Sequence, residues 1–208
     1  MPTSGRKLGG LYLPEFEKGS CGFGLIAQMD DRASHWLVKT AITSLSRLTH
    51  RGAIAADGKT GDGCGLLLKK PDGFLRGAAD AAGLRLADVY ATGMVFLSRD
   101  TALAESARAR LLREVAEQGL EPAGWREVPT DADACGEEAL ETLPRIEQLF
   151  VNAPAGMPVD DFERRLFVAR RRTEKGMEPG DPTFYVPTLS AKVIAYKGLV
   201  MADRLPQF

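Results

Sequence analysis

Blocks of hydrophobic and polar positions along the chain predict a mixture of strands and helices. An apolar, glycine-punctuated run at residues 21–29 predicts a buried strand. Apolar residues recur at helical spacing over residues 35–48, and Ser34 stands before them as a predicted helix cap. Residues 101–118 follow the same period, and Gly119 is predicted to end that second helix.

The remaining blocks extend this mixture without the regular strand–helix–strand rhythm of a doubly wound sheet. A short helix is predicted at residues 139–143, and a longer one begins at Asp160 or Asp161 and runs to about Lys175. Short apolar runs predict further strands at residues 66–70, 93–98, 125–128, 147–151, 184–186 and 191–196. We therefore predict an α+β fold with layered helices and sheets.

The composition is that of an ordinary folded protein. Of the 208 residues, 44% are hydrophobic and 26% are charged, with 27 basic against 28 acidic side chains. This balance gives no support to a partner such as nucleic acid or an anionic membrane. Residues 1–20 lack the apolar run of a secretory signal, and no run approaches the roughly 18 residues of a membrane span. We therefore expect a cytoplasmic protein with an unusual N-terminal leader.

Cysteines and histidines are few. The three cysteines, Cys21, Cys64 and Cys135, are too widely spaced to predict a disulfide framework or a zinc site. By residue type alone, each free cysteine is most often a small core residue. We expect Cys64 to be a packing residue and Cys135, in an acidic loop, to be incidental. The two histidines, His35 and His50, are expected to be hydrogen-bonded structural residues.

Residues 49–65 carry five glycines. Glycines at this density predict positive φ angles and close backbone approaches. Residues 60–65 are interpreted either as a tight turn between strands or as a loop beside an active site. A phosphate-binding loop is excluded, because the glycine that should stand five residues before Gly58 is replaced by Ala53, and a predicted helix precedes the stretch.

Three short blocks follow one another in a fixed order. Residues 11–24 contain Leu-Tyr-x-Pro-Glu-Phe-Glu and then Cys-Gly-x-Gly; residues 50–63 contain His-Arg-Gly-Ala, Ala-Asp and Thr-Gly-Asp-Gly. Residues 188–199 contain Thr-Leu-Ser and then Ile-x-Tyr-Lys-Gly-Leu. Together the blocks resemble the class II glutamine amidotransferase domain that opens the large subunit of glutamate synthases. The resemblance extends over nearly the whole chain.

The resemblance implies a fold, a domain division and a site. The fold would be the four-layer αββα sandwich of N-terminal-nucleophile hydrolases, incomplete at its C-terminus. Residues 1–20 would be a cleavable propeptide, and residues 21–208 would be the N-terminal part of the amidotransferase domain. Cys21 would be the nucleophile, with Arg51 and Gly52 beside it. The planar donors of Arg51 would hold the nucleophile's strand and the glutamine pocket in place.

The chemistry of a thiol gives a physical reason for removing the leader. A thiol becomes a strong nucleophile only as a thiolate, and a free α-amino group with a pKa of about 7.7–8.0 can accept its proton. While Ser20 is attached, the nitrogen of Cys21 is an amide and cannot act as a base. Once it is released, Sγ would attack the side-chain amide of L-glutamine, ammonia would leave, and water would hydrolyse the thioester.

The resemblance also implies the rest of a larger enzyme. Ammonia would reach 2-oxoglutarate, and the resulting imine would be reduced on a later domain that carries FMN and an iron–sulfur cluster. Electrons would come from NADPH through a small FAD-carrying subunit, or from ferredoxin. No cofactor is expected to bind within these 208 residues.

Two further blocks of the family, Arg-Phe-Ser-Thr and His-Asn-Gly, are not found in this chain. They supply glutamine-binding groups and oxyanion donors in the family, whereas Asn152 here is followed by Ala153. Losing one oxyanion donor typically costs about 10²–10³ in rate. We therefore expect the segment alone to be a nearly inactive, truncated fragment. The alternatives are a non-catalytic binding or structural domain and another class II amidotransferase.

Overall fold

The computed structural model describes residues 21–208, so the predicted leader lies outside the described residues. Within residues 21–208, the helices are α1 (His35–Ser46), α2 (Asp72–Ala81), α3 (Thr101–Glu117), α4 (Glu137–Thr142) and α5 (Val159–Met177). The strands are β1 (Thr60–Lys69), β2 (Tyr90–Leu97), β3 (Glu121–Glu127), β4 (Arg145–Asn152), β5 (Tyr185–Ser190) and β6 (Val193–Val200). Thr49–Arg51 and Ala132–Ala134 form short 3-10 turns.

The strands form two antiparallel sheets. The larger sheet has the order β3-β4-β2-β5, and the smaller sheet pairs β1 with β6. The chain passes from one sheet to the other between β5 and β6. There Ser190 Oγ accepts from the amides of Lys192 and Val193, and the Glu163 carboxylate on α5 accepts from Ser190 Oγ. The predicted α+β sandwich is therefore confirmed.

Two apolar cores hold the layers together. The first lies between the four-stranded sheet and helices α3 and α5, where residues such as Leu111, Leu149 and Phe162 are fully buried. The second lies between the two sheets, where Tyr90 and Phe150 of the large sheet face Ile194 of β6. Alternate residues of β4 contribute to opposite cores, as the two-residue period of a strand requires.

Most of the periodic predictions agree with the elements observed. Helix α3 begins after Asp100, whose carboxylate accepts from the Leu103 amide, and Gly119 follows its end with a φ of 69°. Helix α5 also forms, but Pro158 occupies its N-cap position. The prediction of an aspartate cap was therefore wrong, because Asp160 and Asp161 lie in the first turn, where carboxylates favour the helix dipole.

The start of the described chain differs from its prediction. Residues 21–29 were predicted to form a buried strand, yet they pair with no strand among the described residues, and Phe23 is 92% exposed. An apolar run forms a strand only where another strand meets its backbone groups. Helix α1 forms after its predicted cap Ser34, but none of its residues is buried. No helix in residues 21–208 is long and apolar enough to cross a membrane.

Candidate active site

A cleft of about 790 Å³ opens beside the first described residues. Its wall is formed by the 3-10 turn Thr49–Arg51, by β1 and β6, and by residues around α4. Cys21, Arg51 and Gly52 all line it. The structure thus brings the three site residues proposed from the sequence to one cleft.

The Arg51 side chain lies against Gly22, the residue after Cys21. A Cβ built on Gly22 would lie 3.2 Å from Arg51 Cγ and 3.3 Å from Arg51 Cβ, so the aliphatic stem of the arginine covers the glycine backbone. The thiol of Cys21, one residue earlier, is exposed. Arg51 forms no ion pair within the described part of the chain. Its charged head can therefore meet a carbonyl or carboxylate group.

The glycine-rich stretch forms a small hairpin. Ile54 bridges Gly61 in antiparallel register, and the Ala55 amide donates to the Thr60 carbonyl over 2.9 Å. Gly58, with a φ of 69°, lies in the turn. The turn is followed by a strand, not by the helix that a phosphate-binding loop needs, so the exclusion made from the sequence is confirmed.

Asp57 fixes this hairpin to α4. Its carboxylate accepts from the amides of Lys59 and Thr60, from the Thr60 hydroxyl and from the amide of Glu138. The hydrogen bond from the Thr60 hydroxyl is the main reason that the pKa of Asp57 lies far below its ordinary range. A Cβ on Gly136 would stand 2.6 Å from the Thr60 nitrogen, so only glycine fits between the turn and α4.

Residues 60–65 form neither the tight turn nor the loop predicted from the sequence, although residues 61–65 do line the cleft, as the second interpretation expected. They form the beginning of β1, which carries a bulge where the three residues between Thr60 and Cys64 lie opposite only one residue of β6, between Val200 and Gly198. Gly63 takes the positive φ of 102° that this bulge requires. Gly65 lets the strands approach, since a Cβ there would lie 2.8 Å from the Tyr196 carbonyl oxygen.

The bulge directs Asp62 towards the Arg51-Gly52 step. Asp62 Oδ2 accepts from the amide of Ala53 over 2.8 Å, directly after Gly52. Sequence reasoning noted this aspartate only as part of a motif and gave it no role. An acidic residue within a glycine-rich stretch is a signal for such side-chain-to-backbone bonding.

The other two thiols lie in the wall of the cleft. The Cys64 thiol donates to the Val200 carbonyl, and burial raises its pKa to about 11. Cys64 packs against a small apolar cluster, so its assignment as a packing residue is confirmed. Cys135 was expected to be incidental, but it is only 4% exposed and belongs to that cluster, and burial raises its pKa too. Acidic neighbours in the sequence concealed this burial.

Two of the remaining polar candidates, His50 and Asn152, have structural partners. His50 Nδ1 lies 3.0 Å from the Arg47 carbonyl, as predicted. His35 is exposed at the start of α1, and its side chain makes no hydrogen bond within residues 21–208, so the prediction of a hydrogen-bonded His35 was wrong. The Asn152 side chain accepts from the Ala87 amide and donates to the Arg85 carbonyl, at the end of β4. Within residues 21–208, no group of three or more His, Cys, Asp or Glu side chains is arranged to hold a metal ion. These residues therefore do not fit an iron–sulfur cluster.

Comparison with known proteins gives consistent results. Residues 21–208 match the family model of class II glutamine amidotransferases. The NADPH glutamate synthase large chain of Azospirillum brasilense is 39% identical over 200 residues, covering 95% of this chain and 13% of that protein. The ferredoxin-dependent glutamate synthase of Spinacia oleracea is 36% identical over 92% of this chain and 12% of its own length. The NADPH glutamate synthase large chain of Bacillus subtilis is 34% identical, covering 97% of this chain and 13% of that protein. The matched segment thus spans about an eighth of each relative.

Proposed function

This chain belongs to the class II glutamine amidotransferase family, and we propose that it forms part of the glutamine-hydrolysing domain of a glutamate synthase. The observation that carries the proposal is the meeting of Cys21, Arg51 and Gly52 in one cleft. Glutamate synthases among the similar proteins, at 34–39% identity, support the choice within the family.

The proposed reaction begins with the thiol of Cys21. Its proton passes to the α-amino group of the same residue, and Sγ attacks the side-chain amide carbon of L-glutamine. The tetrahedral oxyanion collapses, the C–N bond breaks, and the amide nitrogen takes a proton and leaves as ammonia. Water then cleaves the thioester, which releases glutamate and restores the thiol. Arg51 would hold the segment around Cys21 and the pocket in place.

This mechanism requires that Cys21 become the first residue. The family match begins at Cys21, which supports removal of residues 1–20 as a propeptide. Mass spectrometry of active enzyme should therefore find Cys21 at the N-terminus, and an intact leader would contradict the proposal.

The complete reaction belongs to a longer polypeptide. The segment spans only 12–13% of the relatives, and no asparagine lines the cleft to stabilise an oxyanion. We propose that the segment alone is nearly inactive. In the full enzyme, ammonia would aminate 2-oxoglutarate on a part carrying FMN and an iron–sulfur cluster, with electrons from NADPH through a small FAD-carrying subunit or from ferredoxin. Three unpaired cysteines support a reducing cytoplasm as its location.

The test uses a full-length enzyme that carries this segment. Cys21→Ala should lower glutamine-dependent glutamate formation at least about 10³-fold, because the nucleophile is lost. Glutamate formation from added ammonium should persist, because that half of the reaction does not use the thiol. The ammonium reaction is thus an internal control for folding. Retention of glutamine-dependent turnover in Cys21→Ala would overturn the proposed function.

A further inference from the structure

We propose that Asp62 is a positioning residue of the glutaminase site, acting through the Ala53 amide on the Arg51-Gly52 step. The inference rests on the proposed function, since it assigns a residue to the same site. Asp62 is the one carboxylate among the described residues that line the cleft. Its hydrogen bond runs to the backbone next to Gly52, which leads to Arg51 and from there to Gly22.

The hydrogen bond from the Ala53 amide to Asp62 is the one side-chain hydrogen bond within residues 21–208 that the stretch from Arg51 to Ala53 makes to β1. The stretch from Arg51 to Ala53 is exposed and contains no buried side chain that could fix it by packing. Backbone hydrogen bonds from Arg51 to the Leu48 carbonyl and from Gly52 to the Thr49 carbonyl hold this stretch only to the end of α1 and its 3-10 turn. A 2.8 Å bond from an amide to a carboxylate is of the stronger, charge-assisted kind. Asp62 therefore supplies the side-chain hydrogen bond that joins the backbone next to Arg51 and Gly52 to β1.

Asp62 itself is held in place by the two-stranded sheet. Asp62 stands within the bulge of β1, between Gly61, which is close to the Val200 carbonyl, and Gly63, with its positive φ. The bulge is pinned on both sides by pairing of Thr60 with Val200 and of Cys64 with Gly198. Asp62 thus links the two-stranded sheet to the backbone next to Arg51 and Gly52. Removing that side chain should let Arg51-Gly52 shift relative to the nucleophile.

The test compares three variants in the full-length enzyme. Asp62→Ala removes the acceptor, and Asp62→Asn keeps one acceptor oxygen. Asp80→Ala is the matched control, since Asp80 is exposed on α2 and does not line the cleft. Competent sites are titrated with a diazoketone analogue of glutamine, so that kcat is expressed per active site. A purely structural loss would lower the number of sites and leave kcat per site unchanged.

Asp62→Ala should lower kcat per site about 10- to 100-fold with little change in KM, because a misplacement of about 1 Å can cost about 10²-fold. Asp62→Asn should recover most of that loss, and Asp80→Ala should match the wild type. Equal kcat per site in Asp62→Ala and Asp80→Ala would overturn the proposal. Equal losses in Asp62→Ala and Asp62→Asn would also overturn it, because the asparagine retains an acceptor.

Hydrogen exchange at the Ala53 amide gives a readout that needs neither catalysis nor a folded alanine variant. Protection of this amide in the wild type supports the proposal, and exchange at the rate of an unstructured chain would overturn it. This measurement also separates the two proposals. Persistent glutaminase activity in Cys21→Ala would refute the proposed function, whereas an unprotected Ala53 amide would refute only the role of Asp62.

Discussion

The first 39 described residues and the sheets that follow are built in different ways. Residues 21–59, here called the nucleophile segment, contain no buried residue. The sheet core, defined as residues 60–200, contains side chains such as Leu111, Phe150 and Phe162 that are wholly buried. The catalytic candidates thus lie in the part that packs least.

The links between the two regions are polar and few. Asp62 accepts from Ala53, Asp57 accepts from Glu138, and the Lys69 ammonium pairs with Asp31. Exposed ion pairs of the last kind contribute little, about 0–1 kcal/mol. Local opening needs least free energy where buried apolar contacts are few. The difference teaches that the sheets supply global stability, whereas specific hydrogen bonds place the site residues.

The largest expected difference in the free energy of unfolding is between alanine substitutions at Phe162 and at Phe23. Phe162→Ala should lower the free energy of unfolding by about 3–5 kcal/mol, since the ring is fully buried between α5 and the large sheet. Phe23→Ala should change it by less than about 0.5 kcal/mol, because that ring is 92% exposed. Urea denaturation of both variants checks the contrast. A similar loss for Phe23→Ala would contradict the exposed placement of the nucleophile segment.

The thiol of Cys21, in the nucleophile segment, should be more reactive than the thiols of Cys64 and Cys135, in the sheet core. Burial raises the pKa of Cys64 to about 11, and also that of Cys135, so few thiolates form at neutral pH. Relative to an ordinary thiol of pKa about 8.5, alkylation of Cys64 should be at least about 100-fold slower. Mass spectrometry after iodoacetamide treatment should find the exposed Cys21 modified first. In urea the three thiols should be alkylated at similar rates. Alkylation of Cys64 before Cys21 in the native protein would contradict the burial of Cys64.

The sequence was most informative where one local pattern agreed with one buried face. The buried residues of helix α3 recur at helical spacing, and strands β2 and β4 contain apolar runs that are buried almost throughout, so all three could be predicted from the chain alone. Helix α2 was missed, because its Pro71-Asp72-Gly73 start is typical of a turn. Its helical face is short, with only Leu75 and Ala79 buried.

Predictions failed where structure depends on a distant partner. The apolar run at residues 21–29 predicted a strand, but no local signal reveals whether a neighbouring strand exists. The glycines of residues 60–65 favoured a turn, yet Gly65 serves the approach of β6, more than 130 residues away along the chain. For the site, the motif blocks located Cys21, Arg51 and Gly52. The hydrogen bond of Asp62 depends on the bulge and could only be found in three dimensions.

A substitution at Gly136, where the hairpin turn meets α4, should destabilise the fold less than a substitution in the buried core. Gly136→Ala should cost about 1–3 kcal/mol of unfolding free energy, because its Cβ would meet the backbone nitrogen of Thr60 at 2.6 Å. Gly73→Ala is the control, since open space surrounds that position in α2. The control should be neutral or slightly stabilising. If both variants unfold alike in urea, the hairpin turn and α4 are not in close contact.

The smallest expected effect concerns pH and Asp57. Its folded-state pKa is depressed, chiefly by the Thr60 hydroxyl, so it stabilises the fold fully above the unfolded pKa of about 3.9. This contribution declines as pH falls further towards the folded-state pKa. Asp57→Ala should therefore have a lower Tm than the wild type at pH 7, with a difference that narrows below about pH 4. A constant Tm difference down to pH 2 would contradict a role for the ionised carboxylate.

Local exchange decides whether Asp57 supports the whole fold or only the link between its two regions. Since the carboxylate ties the turn to α4 through Thr60 and Glu138, its loss should accelerate amide exchange in residues 53–60. Exchange in β2 and β4 should change much less, because burial between two cores protects those strands. Equal acceleration in both places would mean that the nucleophile segment and the sheet core unfold as one unit, and the division between them would fail.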